Sequence, residues 1–265
     1  MNLLDVKEIS CGYDSADIIK NVSFSVAKGG FLGIIGPNGA GKTTLFRAVT
    51  RSLAIRKGSV LYNGVDISKI STTQLARNMA VIPQVILTPF SFTVEEFVFM
   101  ARFAHIDRFS APRGVDYDAV NKAMDLAGIA HLKNRNIREL SGGERQQAYL
   151  AQGFAQTPEI LLLDEPTAHL DIRHQAAIMD VLKKLNKEQG LTVVVILHDL
   201  NLASGYCDDI ILLNEGKIYK KGGRDEILNK ETIEEVYKTQ VIVEKNPITG
   251  KPCIFLVSKQ KQTPA

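Results

Sequence analysis

The sequence predicts an α/β fold: a mostly parallel sheet covered by helices, with a helical stretch inserted into it. Three observations carry that expectation. The short apolar runs "FLGIIG", "MAVIPQ", "EILLLDE" and "LTVVVILHD" read as strands buried on both faces, as strands of a parallel sheet are. Helical periodicity returns between the later ones, as βαβ units require. From about Val85 to Gln156 the helical pattern runs on without a strand, so this stretch looks like an insertion into the α/β core.

In chain order, the N-terminal part reads as short strands around Leu4–Ile9 and Val22–Val26, with turn residues between them. "FLGIIG" follows, then a glycine-rich loop and a helix from about Lys42. "SVLYNGVDI" reads as a strand, a turn and a return strand. The strand in "MAVIPQ" stops at Pro83, which has no N–H for a sheet ladder. Inside the helical stretch, Thr93 and Glu96 have capping-box spacing, and Val94, Phe97, Val98 and Ala101 share one face. The apolar Phe92, Phe97 and Phe99 read as core rather than as a docking surface. A helix from Ile172 to about Lys187 separates the next two strands. A hairpin around "LLNEGKIY", a helix near Glu231–Lys238 and a β-like tail, "PITGKPCIFLV", close the chain. The expected organisation is one domain over residues 1–265. Its core is 1–84 with 157–265, its helical subdomain 85–156, and its short C-terminal tail about 241–265.

The bulk properties narrow the function classes. A chain of 265 residues can bury a full core, and apolar and charged fractions of 45% and 23% are ordinary for a soluble globular protein. A net charge of +3 is too small to argue for a nucleic-acid partner. Cys11, Cys207 and Cys253 lie far apart with no CxxC pair, which suggests reduced thiols rather than a disulfide framework or a zinc site. "MNLLDVKEIS" lacks a basic n-region and a long apolar core, so no signal peptide is expected. No apolar run approaches the roughly 20 residues of a membrane helix. Work at a membrane would need another chain to span it.

Several motifs carry chemistry. "GPNGAGKTT" matches G-x-x-x-x-G-K-[ST], follows an expected strand and opens a helix, the context of a phosphate loop. Gly36, Pro37, Asn38, Gly39, Ala40 and Gly41 would wrap phosphates with backbone N–H groups. Lys42 would reach the β- and γ-phosphates, Thr43 would ligate Mg²⁺, and Thr44 closes the motif. "ILLLDEP" ends a strand at Asp164, a position suited to holding Mg²⁺ through water. Adjacent strand residues point to opposite faces, so Asp164 and Glu165 share one site only if the strand breaks between them. Pro166 helps by biasing Glu165 away from helical geometry, which makes Glu165 a candidate general base for an attacking water. Gln84 and His198 directly follow "MAVIP" and "TVVVIL". Gly36, Gln84, Asp164 and His198 therefore all sit just past the C-terminal ends of expected strands, where open parallel sheets bind ligands. His198 is a candidate γ-phosphate contact, and Gln84 a candidate ligand of Mg²⁺ or of the attacking water. His105, His131, His169 and His174 have no such support and read as surface residues. Tyr13, in "CGYD", either closes a turn or stacks on a base, and both readings stay open on its residues alone.

"ELSGGERQQ" poses a local puzzle. Ser141 and Glu144 have capping-box spacing, but Gly142 and Gly143 are poor residues for a first helical turn, costing about 1 kcal/mol each against alanine. Bare backbone N–H groups are wanted there.

Taken together and in this order, "GPNGAGKTT", the glutamine of "VIPQ", "LSGGERQQ", "ILLLDEPTAHLD" and "LHDLNLA" resemble the ATP-binding cassette (ABC) ATPases over nearly the whole chain. The resemblance implies a P-loop NTPase (RecA-like) core with an N-terminal antiparallel β subdomain and an inserted helical subdomain. It implies ATP and Mg²⁺ as ligands, with Lys42, Gln84, Glu165 and His198 at the reaction. Tyr13 falls where the family keeps its adenine-stacking aromatic. The resemblance also implies a head-to-tail homodimer, in which Ser141, Gly142 and Gly143 of one subunit meet the γ-phosphate held by the other. Asp171, closing "AHLD", matches the loop that touches the opposite subunit.

Finer likeness in "LHDLNLASGYCDDIILLNEGKI", "LDIRHQ" and "NPITGKP" points to importer subunits for ferric siderophores, haem or vitamin B12. Such a subunit would lie on the cytoplasmic face of the membrane, bound to separate integral permease subunits. It would serve a periplasmic or surface substrate-binding protein indirectly and would bind no nucleic acid. The helical stretch would receive the permease, with Gln84 as the hinge. There are departures: Gln152-Gly153 replace the usual Arg-Ala, Ala168-His169 replace Ser-Ala or Ser-Asn, and "FMARFAH" is unusual, but none touches a phosphate contact. A cytosolic ABC ATPase, such as an iron–sulfur assembly ATPase, is the alternative. A repair ATPase would need coiled-coil insertions, and "NKAM" lacks the Asp of a guanine-reading motif.

Overall fold

A computed structural model describes residues 1–84, 90–107 and 110–258. The expected start of the helical stretch at Val85 and the end of the tail beyond Ser258 lie outside the described residues. The chain runs β1 (Asn2–Cys11), β2 (Ile19–Ala27), β3 (Phe31–Ile35), α1 (Lys42–Val49), β4 (Lys57–Tyr62), β5 (Val65–Asp66), α2 (Thr72–Asn78) and β6 (Met79–Ile82). Three helices come next, α3 (Val94–Phe99), α4 (Gly114–Leu126) and α5 (Gly142–Ala155). The remainder is β7 (Ile160–Asp164), α6 (Ile172–Gln189), β8 (Thr192–Ile196), α7 (Leu200–Tyr206), β9 (Asp209–Asn214), β10 (Lys217–Gly223), α8 (Arg224–Ile227), α9 (Lys230–Tyr237), β11 (Val241–Lys245) and β12 (Pro252–Leu256).

The N-terminal strands form an antiparallel sheet in the order β2-β1-β4-β5. In β2 the side chains of Val22, Phe24 and Val26 turn inward while Ser23 and Ser25 face solvent, the period of two that one buried face imposes. The second sheet has the order β10-β9-β3-β8-β7-β6 and is parallel from β9 to β6. Only the terminal β9–β10 hairpin is antiparallel. The fold is the α/β class that the sequence predicts.

The central strands are apolar throughout because each face packs on a different layer. Phe31 and Ile35 of β3, Leu161 and Leu163 of β7, and Val193 and Val195 of β8 enter one core with Val98, Val120, Met124, Leu150 and Leu182. Their neighbours Leu32, Ile34, Ile160, Leu162, Val194 and Ile196 enter the other, with Leu4, Val6, Phe24, Leu45 and Phe46. Helices α3 to α6 therefore cover one face, and the antiparallel sheet with α1 covers the other. Among the described residues, the C-terminal edge of the parallel strands is left open as a cavity.

Phe97 is buried, and Phe92 and Phe99 pack partly buried against the same core, as the sequence suggested. The capping box at Thr93 and Glu96 is formed. Helices α2 and α7 carried no sequence expectation. Asp199 starts α7 by accepting from the N–H groups of Asn201 and Leu202. The tail then docks on α7, where Asn201 exchanges hydrogen bonds with the backbone of Ile254 at 2.8 and 3.1 Å.

Candidate active site

The loops after β3, β6, β7 and β8 converge on that uncovered edge. They enclose a cavity of about 620 Å³ lined by Asn38, Gly39, Gly41, Lys42, Thr43, Thr44, Gln84, Glu165 and His198, with Ile18, Ala168 and His169 completing it. Residues from five separate stretches of sequence thus face one space.

The phosphate loop is shaped by close approach. Gly36 has φ +152°, and a Cβ there would come within 2.2 Å of the Leu213 carbonyl oxygen, so no other residue fits against β9. Ala40 packs beneath the loop, buried, and its carbonyl accepts from Gly216 N–H at 3.1 Å. The loop then enters α1 at Gly41, whose helix N-terminus points into the cavity region with no side chain capping it. Free N–H groups and the dipole at this end favour an anion. Lys42 is buried and folds back, its Nζ donating to the carbonyls of Gly36 at 2.9 Å and Pro37 at 3.1 Å. Burial lowers its pKa, and the nearby Glu165 and Asp164 carboxylates push it back up.

Asp164 ends β7 and is 3% exposed. Burial, followed by repulsion from Glu165, lifts its pKa to about 6, while a hydrogen bond with Thr43 and the charges of Arg47 and Lys42 pull the other way. Its Oδ1 atom is buried with no hydrogen-bond partner. A buried, orphaned carboxylate oxygen beside a threonine hydroxyl suits a hard cation that takes oxygen ligands.

The strand breaks between Asp164 and Glu165: β7 ends at Asp164, which is buried behind the cavity lining, and Glu165 lines the cavity itself. The break is a left-handed residue, with Glu165 at φ +53°, so Glu165 is held out of helical geometry by a turn rather than by extension alone. Its Oε2 accepts from Gln84 Nε2 at 2.6 Å, and its Oε1 is in hydrogen-bond contact with His198 Nε2. Gln84 and His198, expected to reach metal, water or phosphate, both meet Glu165. Glu165 is the hub of the three.

The other expected residues lie apart from the cavity. Tyr13 is 40% exposed, and its hydroxyl accepts from Arg47 Nη1 at 2.8 Å. Ser141 caps α5, accepting from Glu144 N–H at 3.3 Å while its own N–H donates to Glu144 at 2.8 Å, so the capping box exists. Gly142 is exposed with open space about it. Asp171 caps α6. Among the four discounted histidines, His131 and His169 are exposed, as expected, and His105 and His174 depart from the expectation. His169 lines the cavity. His105 is half-buried, with Nε2 against the Gln156 carbonyl at 2.9 Å, and burial lowers its pKa. His174 is half-buried and pairs with Asp171. Ile18 and Arg47 had no motif to announce them, and Ala168 and His169, though inside "ILLLDEPTAHLD", carried no site expectation; folding alone places all four.

Comparison with known proteins agrees with this fold. Residues 19–168 match the family model described as ABC transporter. The chain is 38% identical to the ferric enterobactin transport ATP-binding protein FepC of Escherichia coli K12, over 94% of this chain and 92% of that protein. It also superposes on a chain of an ABC transporter described as metal-chelate type and inward-facing, with a TM-score of 0.85, 26% identity and coverage of 97% and 98%. A third likeness, at TM-score 0.74, 27% identity and coverage of 83% and 98%, is to a dimeric ATP-binding cassette in a post-hydrolysis state bound to ADP and Pi.

Proposed function

The chain belongs to the ABC transporter family, and from that premise we propose that it is the ATP-hydrolysing subunit of an importer for a ferric siderophore or a related metal chelate. The observation that carries the reading is the meeting of Lys42, Thr43, Gln84, Glu165 and His198 around one cavity at the open sheet edge. The cargo class is supported by likeness to an enterobactin transport subunit and a metal-chelate transporter along nearly the full chain.

In this reading Gly36 to Thr44 wrap the phosphates, and Lys42 exchanges its two carbonyl contacts for the β- and γ-phosphate oxygens. Thr43, Asp164 through water and Gln84 would hold Mg²⁺, which supplies charge neutralisation of the phosphates when bound. Glu165 takes the proton of the attacking water. Gln84 and His198 hold its two oxygens in place, and His198 is then positioned to turn toward the γ-phosphate as it arrives. Tyr13 stacks on the adenine. No helix among the described residues is long and apolar enough to cross a membrane. In this reading, which likeness to a transport ATP-binding subunit supports, the transport path belongs to separate permease subunits. Two copies of this chain work as a homodimer at the cytoplasmic face, with Ser141, Gly142, Gly143 and Asp171 of each meeting the ATP of the other. A substrate-binding protein outside the membrane would deliver the chelate.

The test is Glu165→Gln. The variant keeps both neighbours as hydrogen-bond partners and removes the base. It should bind ATP, turn it over at least about a hundredfold more slowly, and elute as a dimer on size-exclusion chromatography with Mg-ATP. Turnover at the wild-type rate would remove Glu165 from the role of base.

A further inference from the structure

The stretch "LDIRHQ", Leu170 to Gln175, lies outside the phosphate cavity, yet it ties together two segments that no motif connects. Asp171 caps α6 through Oδ1, which accepts from the backbone N–H of His174 and from its ring Nδ1, both at 2.9 Å. These two donors hold the Asp171 carboxyl below the usual carboxylate range. A carboxylate can only accept, so the ring carries its proton on Nδ1 and its orientation is fixed. The far edge of the ring then meets the first turn of α5. A Cβ on Gly143 would come within 2.8 Å of Cδ2, 3.0 Å of Nε2 and 3.1 Å of Cγ of His174. A Cβ on Gly142 would meet nothing within 4 Å. The two glycines of "LSGGE" are therefore bare for different reasons: Gly142 leaves open space outside the chain, and Gly143 makes room for an imidazole inside it. Next along α6, Gln175 Nε2 donates to the carbonyls of Thr167 (3.2 Å) and Leu170 (3.1 Å), tying α6 to the loop that follows Glu165.

We propose that His174 is a positioning residue: its ring, oriented by Asp171 and seated on Gly143, locks the Ser141–Gly143 turn to Asp171 so that both present to the partner subunit's ATP as one piece. The inference rests on the reading that these two elements act on the opposite subunit's nucleotide. Ser141 belongs to the helical stretch and Asp171 to the sheet core, and between them lie α5, β7 and the Glu165 turn. Two groups that must reach one phosphate from separate segments need a fixed separation, and a misplacement of an ångström is enough to slow chemistry strongly. The His174 ring supplies that fixed separation without touching the chain's own nucleotide cavity.

The test is a double-mutant cycle on the full-length protein, measuring ATP turnover and, separately, the Kd of a fluorescent ATP analogue at the chain's own phosphate loop. His174→Ala should lower turnover about tenfold with that Kd unchanged. Gly143→Ala should lower turnover roughly a hundredfold, because its methyl drives α5 off the ring. Adding His174→Ala to Gly143→Ala should bring turnover back to within about threefold of His174→Ala alone, since the clash is gone. His174→Asn keeps a donor for Asp171 on a smaller side chain, and should both retain more turnover than His174→Ala and tolerate Gly143→Ala. The proposal is overturned if Gly143→Ala costs the same factor with and without His174, or if His174→Ala leaves turnover intact or raises the Kd as much as it lowers turnover. Should Gly143→Ala fail to fold, the split between turnover and Kd in His174→Ala and His174→Asn decides alone. A wild-type protein without ATPase activity would instead sink the functional reading itself, a result the cycle separates from failure of the lock.

Discussion

Lys42 is buried against its own loop, where two carbonyl partners satisfy it, and in the proposed function phosphate displaces them. A hydrogen bond to a charged group is worth about 1.5–3 kcal/mol, so Lys42→Ala should weaken ATP binding roughly tenfold to a hundredfold, read by titration calorimetry. An unchanged affinity would place the phosphates elsewhere. Tyr13 depends on a neighbour that no motif predicted. Arg47 holds its hydroxyl from α1, so Arg47→Ala should release the ring and weaken ATP by a few fold. A ring that stacks reads a π-face, which every base offers. Tyr13→Ala and Arg47→Ala should accordingly weaken ATP and GTP by similar factors, and a loss confined to ATP would mean that Tyr13 or Arg47 reads the adenine edge.

At the scale of elements, the three-helix stretch is fastened by a buried ion pair. Arg102 Nε and Nη2 donate to Asp116 Oδ1, both at 3.1 Å, and Arg102 Nη1 donates to the Ala155 carbonyl at 2.8 Å. One short segment thereby holds the first turn of α4 and the last turn of α5. Removing one partner leaves a buried charge alone, so Arg102→Ala should cost about 3–5 kcal/mol, seen in thermal unfolding, and should leave ATP affinity of the surviving folded protein unchanged. The pH dependence has a definite sign. The backbone N–H of Arg113 first, and then Arg102, hold the Asp116 carboxyl below its ordinary pKa. Its stabilisation is present above the ordinary carboxylate pKa and is lost as pH falls through the lowered one. The difference in melting temperature between wild type and Asp116→Asn should therefore be full near neutrality and shrink below about pH 4. A difference that grows in acid would show that the pair is not the cause.

For the molecule as a whole, the proposed homodimer would bring the open face of Gly142 onto the cavity at the sheet edge of a second copy. With Cys253→Ser removing the half-buried thiol, Asn38→Cys on the cavity rim and Glu139→Cys beside Ser141 should crosslink between subunits only when ATP is present. Mass spectrometry of peptides from a mixture of two isotopically labelled preparations reads the outcome. Crosslinks found only within one chain, or none with ATP, would reduce the Ser141 turn to a helix cap.

The sequence by itself determined whatever depends on neighbours in the chain. The phosphate loop, the parallel strands and the Ser141 and Thr93 capping boxes are local patterns, in which period, spacing and backbone freedom act within a few residues. It also placed Gln84, Asp164 and His198 at strand ends, because strand ends are themselves local. Tertiary structure decided what faces what. Nothing in "LDIRHQ" announces that His174 sits on Gly143, nor in α1 that Arg47 reaches Tyr13, since both contacts join residues far apart in sequence whose distance is set by the packing of layers. The same holds for His169, Ile18 and the burial of His105. Even the Glu165 turn, expected as a break, took its left-handed form only once β7 and β8 fixed the carbonyl of Ile196 that its N–H reaches at 3.2 Å. Local physics chose the groups, and long-range packing, which no short window of sequence contains, chose their partners.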